Sequence, residues 1–328
     1  VRILQLWAYV KSAGRLSMLK KISLFILSLL LMTGCTTETK KKSFNIVVTN
    51  FPCYDFVRAI TKNDPDISIK MLIKPGMDSH SYEPTPQDMV AIKESNLFFY
   101  VGGESDEWVD SLLVDMDSKR IVKMLDLVSH LQREEHVEGM EEEKHEEHDE
   151  HEEEYDEHVW TSPKNAMEIV SGLNKRMCTL DQKHASKFNE NTENYIKQIA
   201  SVDSSFKQIV KQAKRKDIVV GDRFPLLYFA KEYGLTYSAA FPGCSEQTEP
   251  SASTISYLID KVKKDQNPVI FKIELSNGQI ARTISEETGA KVLTIQSMHN
   301  VSEEDFNNGE TYVSIMRKNA KAVKEALQ

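Results

Sequence analysis

The chain has 328 residues, 28% of them charged and 40% hydrophobic, with a formal net charge of −9. The charge is uneven: residues 134–157 hold fifteen acids and one lysine, so the remainder is mildly basic, at about +5. No Lys/Arg stripe with interleaved aromatics gives a case for a nucleic-acid partner, and four cysteines without a CxxC pair speak against a disulfide-built fold, although a single bridge stays open.

From Met18 the chain reads MLKKISLFILSLLLMTGC. Two lysines, an apolar run over 22–32 and small residues have the layout of a secretory signal. The run is short for a bilayer span, which takes roughly 20 residues. Met18 is therefore read as the start, with residues 1–17 an upstream over-translation. Leu31-Met32-Thr33-Gly34-Cys35 resembles a bacterial lipobox, in which Cys35 would be lipidated and become the first residue. The expected division is signal over 1–34, lipid-anchored tether over 35–43, an N-terminal α/β lobe over 44–180, a long connecting helix over 181–215 and a C-terminal α/β lobe over 216–328.

FNIVVTNF at 44–51 alternates as a strand; a helix over 54–61 and a strand over 67–73 follow. Thr85 is placed to cap a helix over 86–95 with Pro86 in its first turn, and LFFYV at 97–101 is the next strand. The segment 134–157 is too polar to bury a core and is expected to be unstructured. Ser162-Pro163 opens a helix to about residue 177. Phe188, Tyr195, Ile199, Val202, Phe206, Ile209 and Val210 then form one apolar stripe on a helix, with Asp181 as its expected cap. Strands at 217–222, 235–241, 268–275 and 291–297 alternate with helices near 225–234, 251–264, 278–288 and 311–327. Such alternation predicts an α/β fold of two doubly wound lobes joined by the long helix, with a ligand site in the cleft beyond the strands' carboxyl ends.

His80, in PGMDSHSYEPTPQD, follows a strand; His158, in DEHVWTSP, precedes a helix. A lone histidine is often only structural, but both stand at loop ends facing the expected cleft. The stretch from Gly76 to Pro86 resembles the first metal-binding loop of the zinc and manganese ABC-transporter substrate-binding lipoproteins, and the stretch from Asp156 to Pro163 resembles the second. The acidic run, with His136, His145, His148 and His151, is similar to the His-rich loop of the zinc-type members, and the resemblance covers essentially everything after the lipobox. It implies that His80 and His158 are metal ligands from the N-terminal lobe. At the place where such proteins supply a third ligand stands Arg223, which has no lone pair to offer; Asp222, one residue earlier, could take the role. A fourth ligand should follow the strand near 293–295, and His299 is the strong candidate there.

Cys244 would be a soft zinc ligand if it faced the cleft, and otherwise a small buried hydrophobe. Glu249 or Glu274 could orient a ligand histidine through its second ring nitrogen. An imidazole-rich set favours Zn2+ over Mn2+. The expected function is extracytoplasmic: a monomer, lipid-anchored to a bacterial cell membrane, captures zinc and delivers it to an ABC permease and its ATPase. The acidic run is read as an accessory that collects metal, with only His158 belonging to the main site. Alternatives are a manganese-binding homologue, a surface adhesin for cell adhesion and a metalloenzyme. For an enzyme the sequence offers neither HExxH nor a GxSxG elbow.

Overall fold

The computed structural model describes residues 44–62, 64–79, 81–114, 116–141, 155–245 and 249–328. The expected signal and lipobox with Cys35, together with His80, His145, His148 and His151, lie outside the described residues.

Strand β1 (Phe44–Val48) pairs in parallel with β2 (Ile67–Met71) and β3 (Leu97–Tyr100), and β4 (Ile121–Lys123) extends the sheet to the order β2-β1-β3-β4. The second lobe repeats the plan: β5 (Asp217–Arg223), β6 (Thr236–Phe241), β7 (Val269–Lys272) and β8 (Lys291–Thr294) lie in the order β6-β5-β7-β8, again all parallel. Parallel strands covered on both faces need apolar residues on both faces, and LFFY of β3 is buried at all four positions. β4 escaped sequence reading because it is three residues long, within KRIVK.

Helix α1 (Phe51–Thr61) begins earlier than expected because Asn50 caps it, accepting from Cys53 N at 3.3 Å. That cap ends β1 at Val48. Helix α2 (Pro86–Glu94) carries the full Thr85–Asp88 capping box. Beyond short α3 (Asp110–Leu113), α4 (Pro163–Leu180) opens on Ser162, whose hydroxyl accepts from Asn165 N at 3.1 Å.

The connecting helix α5 spans Ala185–Gln212, about 42 Å at 1.5 Å per residue. Its start is later than the sequence suggests. Asp181 closes α4 instead of capping α5, and its carboxylate meets His184 Nδ1 at 2.5 Å. The apolar stripe is buried as expected, with Phe188, Tyr195, Ile199, Val202 and Phe206 facing inward. Near its start Asn191 Nδ2 donates to Ile60 O (2.9 Å) and Tyr195 hydroxyl to Asp55 Oδ2 (2.5 Å), both on α1. Near its end Asp203 Oδ1 accepts from the hydroxyl of Tyr233, on α6 (Leu227–Tyr233). The helix is thus bonded to one lobe at each end.

The C-terminal lobe is completed by α7 (Ala252–Asp265), α8 (Gln279–Thr288), α9 (Glu303–Asn307) and α10 (Tyr312–Ala326). Helix α10 reaches back to the first lobe, where Tyr312 N donates to Asp55 Oδ2 at 2.9 Å. One hydrophobic core therefore runs through both lobes, from Val48 and Phe56 through Trp160 and Phe206 to Phe271 and Tyr312. Cys53, Cys178 and Cys244 are free thiols.

Candidate metal centre

The carboxyl ends of the two sheets open onto a shared cavity of about 160 Å³. Gly76–Ser79 and His158 line it from the first lobe; Arg223, Pro225, Gly243, 273–276, Ser297, His299 and Asn300 line it from the second. This is where a doubly wound sheet offers a site, because its loops diverge at the point where strand order reverses.

His158 is fully buried at the start of a 3-10 turn, Val159–Thr161. Its backbone N–H donates to Asp156 Oδ1 (2.8 Å), and its ring Nδ1 lies 3.2 Å from the same oxygen. A carboxylate at Nδ1 fixes the tautomer and ring angle, the arrangement common at metal-binding histidines. Asp156 is held in turn, its carbonyl accepting from Tyr228 hydroxyl at 2.8 Å. Trp160 Nε1 donates across the cleft to Ser297 O at 2.7 Å, and the Trp160 ring stands 5.4 Å from His158 and 5.2 Å from His299.

His299 is only 7% exposed and approaches from the opposite lobe. The two imidazoles are 5.0 Å apart between centroids and nearly perpendicular, at 84°. Its backbone precursor, Met298, is held at φ 64, and Leu275 after β7 at φ 60. Left-handed backbone at non-glycine residues is uncommon and strained; of the four such residues described, Leu275 lines the cavity and Met298 lies between the lining residues Ser297 and His299. β7 and β8 stop at Lys272 and Thr294, sooner than their apolar runs, and the residues that follow form the cavity wall.

Glu157, which sequence reasoning passed over as a ligand, sits between the histidines. It is wholly buried, its Oε1 is 3.3 Å from His299 Nε2, and it accepts from Ser105 N (3.0 Å) and Ser105 Oγ (2.5 Å). Gly103 makes room for it: a Cβ there would lie 2.3 Å from Glu157 Cβ. The available signal was the acid's adjacency to His158. Ligand atoms of Glu157, His158 and Cys244 all lie within 4.8 Å of one another.

Burial pushes the Glu157 carboxyl above the usual carboxylate range. Burial and the neighbouring Glu157 together raise Asp106 to about 7. For His158, burial works to lower the pKa, but Asp156 and Glu157 outweigh it and raise the ring above its ordinary value. Burial, then Glu157, Asp156 and Glu134, push the Cys244 thiol well up. Every one of these shifts records negative charge gathered in a dry place, the arrangement a cation relieves.

The loop leading to His80 is clasped from the second lobe. Asn300 Nδ2 donates to Lys74 O (2.7 Å) and Met77 O (2.8 Å), and Gly76 N donates to Val301 O (2.8 Å). Arg223 Nη2 pairs with Asp78 Oδ2 at 3.1 Å, and Nη1 donates to Ser245 O at 3.2 Å.

Residues 46–326 match the profile of the ZnuA family, described as zinc-uptake complex component A, periplasmic. The chain belongs to this family. It is 31% identical to the zinc-binding lipoprotein AdcA of Streptococcus pneumoniae, with 94% of this chain and 61% of that protein covered. The chain thus spans about three fifths of that relative's length. It is also 31% identical to the high-affinity zinc uptake system protein ZnuA of Bacillus subtilis, over 94% of this chain and 99% of that one. The crystal structure of the Zn(II)-bound ZnuA-like domain of S. pneumoniae AdcA superposes with a TM-score of 0.70 at 28% identity, covering 87% of this chain and 99% of that one.

Within this family framework the structure brings His158 and His299 together and treats the other expected residues differently. Asp222 does not line the cavity. Its Oδ1 accepts from Arg223 N (3.0 Å), and burial raises its carboxyl above the usual range. The end of β5 is irregular, with a register shift against β6 between Val220 and Arg223, and there it is Arg223 that reaches the cavity wall. Glu274 accepts from Ser297 N (2.7 Å) and Oγ (2.6 Å), and Ser297 Oγ accepts from His299 N (3.2 Å). It therefore steadies the His299 loop through Ser297, while the carboxylate facing the ring of His158 is Asp156. Glu249 is exposed ahead of α7 and is absent from the cavity wall.

The acidic run also differs from expectation at its edge. Residues 134–141 are docked on the second lobe because their acids find donors there. Glu134 Oε1 accepts from Cys244 N (3.0 Å), Glu135 pairs with Lys231 (2.5 Å), and Glu141 Oε2 accepts from Ser251 N and Thr254 Oγ1 (both 2.8 Å). His136 is exposed, with Nε2 2.9 Å from Glu141 O.

Proposed function

We propose that this chain is an extracytoplasmic binding protein that captures a zinc ion in the interlobe cleft and hands it to an ABC permease and its ATPase for uptake. The observation that carries this is the convergence of two buried imidazoles from opposite lobes on the wall of one cavity, with the buried carboxylate of Glu157 3.3 Å from His299 Nε2. Membership of a zinc-uptake family and the zinc-binding names of its relatives support the choice of ion. Imidazole favours zinc, while the carboxylate gives manganese the second claim. The chain acts as a carrier and not as an enzyme. His80 joins His158 and His299 as a ligand on the strength of its loop, whose neighbours Gly76–Ser79 line the cavity.

Cys35 anchors the protein to a membrane through lipid. Among the described residues no helix is long and apolar enough to cross one. The acidic run, with His136, His145, His148 and His151, collects zinc for the cleft and holds it more weakly than the cleft does, its carboxylates raising the local cation concentration. Calorimetric titration with zinc of the full chain, and of one lacking residues 142–154, tests the reading. One tight equivalent should survive the deletion, and restoring the chain to a strain without it should rescue growth when zinc is scarce. Absence of a tight equivalent from both proteins would overturn the proposal.

A further inference from the structure

We propose that Cys244 is a ligand of the cation in the cleft and that its sulfur makes the site selective for soft divalent metals over manganese. This deepens the metal-binding reading above and rests on it.

A buried cysteine usually packs as a small hydrophobe. Cys244 has different company. Its sulfur shares a space no wider than 4.8 Å with a Glu157 carboxylate oxygen and a His158 ring nitrogen, and all three residues are buried. Zinc binds sulfur at about 2.3 Å and nitrogen or oxygen at about 2.0–2.2 Å, so two ligand atoms on a tetrahedron stand roughly 3.5 Å apart. The three donors are near enough for small side-chain rotations to close that gap. Among carboxylate, imidazole and thiol, each is an ordinary zinc donor, and they come from both lobes.

The backbone around Cys244 is pinned toward this point. Its N–H donates to Glu134 Oε1 at 3.0 Å. The carbonyl of the next residue, Ser245, accepts from Arg223 Nη1 at 3.2 Å. At the preceding Gly243, a Cβ would stand 3.2 Å from Asp156 Oδ2 and 3.1 Å from Phe224 O, so the loop packs tightly against the His158 support. Arg223, which enters the cavity from β5, is engaged with Asp78 and cannot coordinate. The next strand-end loop of the same lobe, after β6, supplies Cys244.

On binding, the S–H bond breaks, its proton passes to solvent, and the sulfur lone pair forms the metal–sulfur bond; no electrons are exchanged with the metal. A thiolate prefers zinc, cobalt or cadmium to manganese, which favours oxygen donors.

Cobalt(II) titration of the full chain, followed by absorption, tests this. Wild type and the control C178S should both show the near-ultraviolet sulfur-to-cobalt charge-transfer band, and C244S should lose it. Zinc affinity should fall about tenfold or more in C244S, with a narrower preference for zinc over manganese. C244A, with thermal melting of both metal-free variants, separates loss of a ligand from loss of the fold. Stoichiometric cobalt binding by wild type without the band, or a band that persists in C244S, would overturn the assignment and leave the metal-binding reading standing. No stoichiometric binding by wild type of either cobalt or zinc would overturn both.

Discussion

The two halves of the metal centre are built in opposite ways. The first lobe draws its groups from a single short stretch: Asp156 orients His158, Glu157 turns to His299, and Trp160 bridges to Ser297, all buried and all within five residues. The second lobe contributes single groups from successive strand ends, with Arg223 closing β5, Cys244 after β6, Glu274 after β7 and His299 after β8. A contiguous motif holds its geometry through local bonds and a turn. A dispersed one depends on four strand ends being held in register by the sheet, and on strained backbone at Met298 to aim the last of them. The first half should therefore be rigid before a metal arrives, while the second is adjusted by contacts across the cleft.

The sharpest way to break this comparison is at the motif. His158→Ala should weaken zinc binding by more than about a hundredfold, and Asp156→Asn by about tenfold to a hundredfold, because loss of an orienting partner costs less than loss of the ligand. Calorimetry on the folded variants measures both. Wild-type affinity in D156N would mean that the turn alone holds the imidazole, and the first half would lose its special status.

A second effect comes from the charge stored behind the motif. The Asp106 carboxyl stands at about 7 in the folded protein against 3.8 for the free group. Its pKa is raised, so between these values the folded state holds a proton that the unfolded state has released, and stability must fall as pH rises. Glu157, also raised, acts in the same direction. Urea denaturation of the metal-free protein should give lower stability at pH 8 than at pH 5, and Asp106→Asn should remove much of the difference. A pH-independent Asp106 contribution would show that the buried acids do not oppose each other.

The smallest effect belongs to the second lobe's latch. The Arg223–Asp78 pair is 17% and 49% exposed, so it contributes about 0–1 kcal/mol. Arg223→Gln should change zinc affinity by less than about fivefold and speed release in stopped-flow at low salt, with the difference fading as salt rises. Loss of tight binding in that variant would place Arg223 in the site proper.

Much of this was readable along the chain. The His158 motif announced itself because its acid, imidazole, tryptophan and capping serine are neighbours. The stripe from Phe188 to Phe206 identified the connecting helix through its period, although the break at Asp181 did not show, since a cap serves the end of one helix as well as the start of another. Asp222 illustrates the limit. Sequence spacing could bring the expected ligand position to within one residue, but it could not show which side chain the irregular end of β5 presents to the cavity.

By itself the sequence determined the alternation of strands and helices, the two-lobed plan, the long helix and the portion of the site that lies within a turn, because these follow from periodicity, caps and neighbours close along the chain. Only the tertiary structure decided that Glu157 rather than Asp222 accompanies His158 and His299, that Cys244 comes within 4.8 Å of Glu157 and His158, and that the first residues of the acidic run are docked on the second lobe. The reason is distance along the chain: Glu157 and His299, or Glu134 and Cys244, meet only when two sheets and the helix between them have packed around one core, and no local spacing encodes that meeting.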